Sequence, residues 1–164
     1  MAWRWLVVVG IALSCLSCTS VISSEIRSQV AQDVTYTDIA QNPDAYIGKI
    51  IIAAGSIIDA KNLHEGTRLE ILQYPTTNTG RPILDNPSGG RFLVQIPDYL
   101  ETAIYRPGRS ITVAGAVSGH RELPLGETTY RYPVFVPHEL YLWPEGDRGP
   151  RVQIGFGFGF SKGF

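Results

Sequence analysis

The sequence predicts an all-β domain, a small barrel of five to six short strands preceded by one short helical turn. Three observations carry that prediction. Between residues 49 and 143 the chain breaks into short runs rich in β-branched and aromatic side chains. Several of these runs alternate apolar and polar residues with the two-residue period of a half-buried strand. Glycine and proline, 17 and 11 of the 164 residues, are frequent enough to supply turns at the spacing of a barrel or sandwich.

The elements follow in order. Thr37 is the expected N-cap of the helical turn, which ends at Asn42 because the position before Pro43 disfavours the α region. Residues 49–58 form the first strand, and Gly55 inside it marks a bend or bulge of a closing barrel. The turn to the second strand spans residues 62–66. In the second strand, 67–74, Leu69 and Ile71 take one face while Arg68 and Glu70 take the other. A long polar loop, 75–90, holds Pro82, Pro87 and the pair Gly89-Gly90. Residues 91–96 form a third strand stopped by Pro97, and 98–106 connect it to the next. The fourth strand, 109–118, places Ile111, Val113 and Gly115 on one face. Residues 128–132 and 134–143 supply one or two more, interrupted by Pro133 and Pro137. Leu69, Ile71, Phe92, Val94, Ile111 and Val113 are the expected core. The number and order of these strands suit an OB-like Greek-key barrel over residues 37–144.

Ahead of that domain the first eighteen residues form a targeting segment. Met1 to Arg4 is a short n-region with one positive side chain, and residues 6–13 are an uncharged apolar run. That run is shorter than the ~20 residues a bilayer span needs, and it fits a secretory h-region. Small residues and two cysteines follow, and both Ser14-Cys15 and Ser17-Cys18 meet the small-residue requirement of lipoprotein cleavage. Cys18 leaves the fuller apolar run ahead of it and a polar stretch behind it, so residues 1–17 are assigned as signal peptide and Cys18 as the lipidation site. The mature chain then retains a single, acylated cysteine and no thiol chemistry. Thr19 follows the anchor in place of the Asp that retains a lipoprotein in the inner membrane, so delivery to the outer membrane is expected. Two or three acyl chains, at about 0.8 kcal/mol per buried methylene, hold such an anchor firmly. Residues 18–36 read as a lipidated tether without helical or strand period, able to extend about 60 Å at ~3.3 Å per residue. Val21-Ile22 either dips into the headgroups or stays in water.

The residues also carry a resemblance. Asn42-Pro43 with Tyr46 and Gly48-Lys49, Arg68-Leu69-Glu70 with Gln73 and Pro75, Gly80-Arg81-Pro82, Gly90-Arg91-Phe92, Arg109 with Thr112-Val113-Ala114-Gly115, and the closing segment from Tyr130 to Trp143 stand in an order that resembles the Slp family of starvation-inducible outer-membrane lipoproteins. The resemblance covers roughly Cys18 to Trp143. Ala53-Ala54-Gly55 replaces the Trp-Gly-Gly more usual there. It implies a lipidated Cys18 and outer-membrane residence, with a link to stress or starvation, and it transfers no catalytic residue or ligand.

Charge and side-chain spacing narrow the chemistry. Formal net charge is −1, and −2 once Arg4 leaves with the signal peptide, so no clustered basic surface for nucleic acid is expected. His64, His120 and His138 lack ligand spacing and read as solvated histidines; no metal and no cofactor are expected. Ser88-Gly89-Gly90 is not a nucleophile elbow. Glu65 with Glu70, or Glu122 with Glu127, are the candidate acid pairs of a hydrolase. Tyr74, Tyr99, Tyr105, Tyr130 and Tyr132 are the candidate aromatic lining of a glycan or small-ligand groove. The tail, residues 145–164, places Phe156, Phe158, Phe160 and Phe164 on one side of an extended chain, with glycine on the other. It reads as an unstructured sticky tail, as an insertion at a membrane interface or partner, or, more weakly, as the closing signal of a membrane barrel.

These readings combine into an outer-membrane-anchored, periplasm-facing, non-enzymatic binding or structural module. Its partners are membrane lipid through acylated Cys18 and an envelope protein. A ligand-binding barrel and a carboxylate-dependent hydrolase are the alternatives.

Overall fold

The computed structural model describes residues 20–146. Cys15, Cys18 and the four tail phenylalanines therefore lie outside the described residues. Two short helices, α1 (Ser24–Gln29) and α2 (Tyr36–Gln41), and a 3₁₀ turn at Pro43–Tyr46 precede five strands. These are β1 (Ile50–Leu63), β2 (Gly66–Tyr74), β3 (Gly90–Ile96), β4 (Ser110–Leu125) and β5 (Thr128–Leu142).

The strands close into a barrel in the order β1-β2-β3-β5-β4 and back to β1. Every pairing is antiparallel except β3 with β5, which is parallel through Leu93–Val134 and Val94–Phe135. This is the five-stranded, OB-like Greek-key barrel that the sequence predicts. Leu69, Ile71, Phe92, Val94, Ile111 and Val113 all face one core and are fully buried. Phe92 meets Phe135 edge-on at 5.2 Å, and Ile39 of α2 packs into the same cluster.

Closure is concentrated at Gly55. Ala54, Gly55 and Ser56 pair with β2 on one side and β4 on the other, joining the two halves of the barrel wall. A Cβ on Gly55 would stand 2.0 Å from the Leu72 carbonyl oxygen, so only glycine allows that approach. The register shift itself falls later, between Ile57 and Asp59.

Several local expectations are corrected. The cap of α2 is Thr35 and not Thr37: the Thr35 hydroxyl accepts from the Asp38 amide, and the Asp38 carboxylate accepts from the Thr35 amide. Two donors are satisfied at once, which a Thr37 cap could not match. The β1–β2 turn tightens to His64-Glu65 because Gly66, at φ +109°, starts β2 directly. β4 continues past Ser118 to Leu125, and β5 is one strand through both prolines. Pro137 and Pro133 sit beside the register shifts at Ala114/Gly115 and Val117/Gly119, where a missing N–H disturbs the ladder least.

The largest correction concerns residues 20–30, expected as loose tether. They pack on the outside of the barrel. Val21 N–H donates to the Thr79 carbonyl at 3.3 Å, Ile22 is only 2% exposed, and Val30 bridges to Ile50. Ser23 caps α1 while its own hydroxyl and amide bond the Glu139 carboxylate. The outward positions Ala54, Thr112 and Ala114 are fully buried on this side, and their small size leaves room for a covering segment.

Candidate functional site

The hairpin of β4 and β5 is longer than the barrel it helps to close. Its outer part, from Gly119–Val134 to the Leu125–Thr128 pair, projects as a two-stranded ribbon. The ribbon lies over the outward face of β3, which is apolar at Leu93, between the inward Phe92 and Val94. Leu93, Tyr132 and Val134 form a second small core with Leu123 and Tyr130.

Beneath the ribbon lies a groove of about 210 Å³. Leu93, Leu123, Pro124 and Tyr132 give it an apolar wall. Asp59, Lys61, Arg68 and Glu70, the outward residues of β1 and β2, give it a charged floor. Lys61 pairs with Asp59 at 2.7 Å. Arg91 pairs with Glu70 at 2.7 Å, and the Tyr132 hydroxyl donates to the same carboxylate oxygen at 3.1 Å. The Glu70 hydrogen bond raises the affinity of Arg91 for its proton, and burial pushes the Tyr132 phenol upward. Arg68, opposite Lys61 in the ladder, has no carboxylate at ion-pair distance among the described residues. The groove is therefore close to neutral, with one cation to spare. It suits a small hydroxyl-rich or dipolar molecule with an apolar ring face.

The acid pairs expected from sequence do not converge. Glu70 lies in the groove, held by Arg91 and Tyr132, whereas Glu65 sits in the β1–β2 turn beside Arg121 at 3.4 Å. Glu122 stands opposite Arg131 in the ribbon, and Glu127 lies in its exposed turn. His64, His120 and His138 are all exposed. His120 Nδ1 contacts Asp44 at 2.9 Å, and Arg131 contacts the same carboxylate at 2.8 Å, so the ribbon is latched to the 3₁₀ turn. The His120 hydrogen bond holds the Asp44 carboxyl below its usual range. Among the described residues no cluster of three or more His, Cys, Asp or Glu is placed to hold a metal. No helix among them is long and apolar enough to cross a membrane.

The tyrosines also separate. Tyr132 is 2% exposed and lines the groove; Tyr130 meets it edge-on at 4.7 Å and accepts a bond from the Arg91 amide. Tyr105 packs on the core, Tyr74 is half-buried, and Tyr99 stands in solvent with its hydroxyl on the His64 carbonyl. A row of exposed aromatics is not formed. Of the lining residues, sequence reasoning singles out Glu70 and Tyr132 and misses Asp59, Lys61, Arg68, Leu93, Leu123 and Pro124. The alternation of Asp59 and Lys61 with apolar neighbours was the available signal for the floor, but nothing local announces the roof.

The family model for the outer membrane lipoprotein Slp family matches residues 15–156. The uncharacterized lipoprotein YeaY of Escherichia coli is 28% identical over 123 residues, 75% of this chain and 63% of its own length. An uncharacterized protein of Haemophilus influenzae is 27% identical over 96 residues, 58% of this chain and 52% of its own. The chain thus spans between half and two thirds of these relatives. Among solved structures, the mitochondrial single-stranded DNA binding protein Rim1 of S. cerevisiae aligns with a TM-score of 0.37 at 13% identity, covering 58% of this chain and 94% of that one. A small single-stranded DNA-binding protein of Streptomyces coelicolor aligns at 0.38 and 16%, covering 63% and 98%. Likeness at that level carries no statement about ligand.

Proposed function

The chain belongs to the Slp family of outer membrane lipoproteins, and from that membership we propose that it is anchored through acylated Cys18 with its barrel in the periplasm, as a non-enzymatic binding module. The groove under the β4–β5 ribbon is its binding surface. The observation that carries this reading is the groove's composition: an aliphatic and tyrosine wall under the β4–β5 ribbon, over a floor of paired acidic and basic side chains from β1 and β2. Glu70 already accepts hydrogen bonds from Arg91 and Tyr132, which fix its carboxylate as a positioned acceptor beside the wall. A near-neutral floor favours a sugar or short dipolar envelope fragment over a polyanion.

Two experiments test the reading. Intact mass of the protein extracted from membranes should show an acylated N-terminus at Cys18, and added protease should cut the barrel only after the outer membrane is permeabilised. Calorimetric titration with amino-sugar oligosaccharides should show binding that weakens at least tenfold in Leu123→Asp and in Arg68→Glu. Equal affinity in wild type and both variants, or no binding at millimolar ligand, removes the groove from the proposal.

A further inference from the structure

We infer that the barrel end carrying the β2–β3 loop rests directly on the lipid surface of the membrane, with the tip of the β4–β5 ribbon pointing away from it. The inference rests on acylation at Cys18. Residues 21–23 are fastened to the barrel one after another. Val21 donates to Thr79 and lies against Gly80, where an added Cβ would stand 3.4 Å from its methyl. Ile22 is buried, and Ser23 is bonded to Glu139. Only three residue steps separate Val21 from Cys18, at most about 11 Å of extended chain. A loose tether of eighteen residues would let the domain stand off; three steps do not. The headgroup zone is itself several ångströms deep, from the difference between a ~30 Å hydrocarbon core and a ~40–45 Å bilayer. The loop bonded to Val21 is therefore drawn down to the headgroups.

That loop has a surface fit for the place. It is internally braced, with Thr77 N–H on the Arg81 carbonyl and Ile83 N–H on the Pro75 carbonyl. Leu84 is 46% exposed, and the Arg81 guanidinium lies 4.9 Å over the Trp143 ring. An arginine and an exposed leucine suit a membrane–water boundary, while Trp143, itself buried, supports the arginine from beneath. The C-terminal end of the barrel leaves from the same place. Trp143 Nε1 donates to the Thr112 hydroxyl, which donates to the Gly80 carbonyl, so Trp143, just past the end of β5, lies beside the loop. From Ser110 at this end, β4 runs sixteen residues to Leu125, about 50 Å of strand at ~3.3 Å per residue. The ribbon tip at Gly126-Glu127 follows the far end of that strand, thirteen residues along β4 from Thr112 beside the loop.

The test places a single labelling cysteine at Asn78→Cys, on the exposed loop, or at Glu127→Cys, on the ribbon tip. The acylated Cys18 has no free thiol to compete. Each full-length lipidated protein is reconstituted into vesicles of phosphatidylethanolamine and phosphatidylglycerol containing a headgroup-linked quencher. Fluorescence at position 78 should be quenched at least threefold more than at position 127. Inserting twelve Gly/Ser residues between Thr19 and Ser20 should remove most of that difference. Equal quenching at the two positions, or stronger quenching at 127, in protein whose mass shows an acylated Cys18 overturns the orientation and leaves the anchor intact. An unacylated Cys18 overturns the anchor and the orientation together. Position 78 unquenched in vesicles yet crosslinked to a protein in cell envelopes replaces the lipid surface with a protein partner and also overturns it.

Discussion

Ile22→Ala, in mature protein left unlipidated by Cys18→Ser, separates a docked N-terminal segment from a loose one. Ile22 is 2% exposed. Its truncation to alanine removes three carbons, about 2.4 kcal/mol at ~0.8 kcal/mol per buried methylene, before any cavity is counted. The loss has a ceiling. Once it exceeds the free energy that docks residues 20–30, the segment lifts off and the barrel remains, so an effect of about 1.5–2.5 kcal/mol is expected. With a urea slope of about 2 kcal/mol/M, the unfolding midpoint should fall by roughly 1 M. Hydrogen exchange localises the effect: the Val21 amide, bonded to Thr79 in the wild type, should lose its protection in the variant, while the amides of β4 keep most of theirs. A midpoint shift under about 0.3 M, or a Val21 amide unprotected already in the wild type, would refute the docking and with it the short reach from Cys18.

Three further outcomes are expected. Gly55→Ala should destabilise the barrel by about 1–3 kcal/mol in chemical denaturation, since its Cβ meets a backbone carbonyl that cannot move aside; a change below 0.5 kcal/mol would show that β1 does not turn there as tightly as described. Hydrogen bonds from the Ser23 hydroxyl and amide hold the Glu139 carboxyl below its ordinary value, so this contact stabilises the fold above the unfolded-state value near 4.3 and is lost as pH falls through the folded one. Amides of residues 21–23 should accordingly lose protection, relative to intrinsic exchange, below about pH 4 and ahead of the core, and Glu139→Gln should abolish that pH dependence. Ending the unlipidated chain at Gly146 should leave stability within about 0.5 kcal/mol, because the described core is complete by Trp143, yet reduce binding to anionic vesicles, each buried Phe being worth about 1.5–3 kcal/mol. Unfolding on truncation would place tail aromatics in the core, and unchanged vesicle binding would remove them from the membrane.

Much of the barrel was legible because its strands carry their own period. Leu69 with Ile71, Phe92 with Val94 and Ile111 with Val113 each mark an inward face by two-residue spacing, and that spacing holds whatever the partner strand is. The helix start was misplaced by two residues because Thr35 and Thr37 are equally good caps in isolation; only the return bond from Asp38 decides between them. β5 read as two pieces because a proline ends a strand in most settings, and the register shifts beside Pro137 and Pro133, with His138 extra on β5 and Ser118 extra on β4, appear only once the two strands pair.

The N-terminal segment and the groove mark the boundary between local and tertiary information. The amino-acid sequence by itself determined the β class, the core positions and the family, since each is written in neighbouring residues or in an ordered set of motifs. Only the tertiary structure decided that residues 20–30 lie on the barrel: Ser23 finds Glu139 across 116 positions, and Thr79 offers its carbonyl to Val21 from a loop with no strand pattern of its own. Only it decided that Asp59, Lys61, Arg68 and Glu70 share a floor under Leu123 and Tyr132, because a site assembled from separate strands acquires its geometry when the sheet closes and the hairpin folds over it.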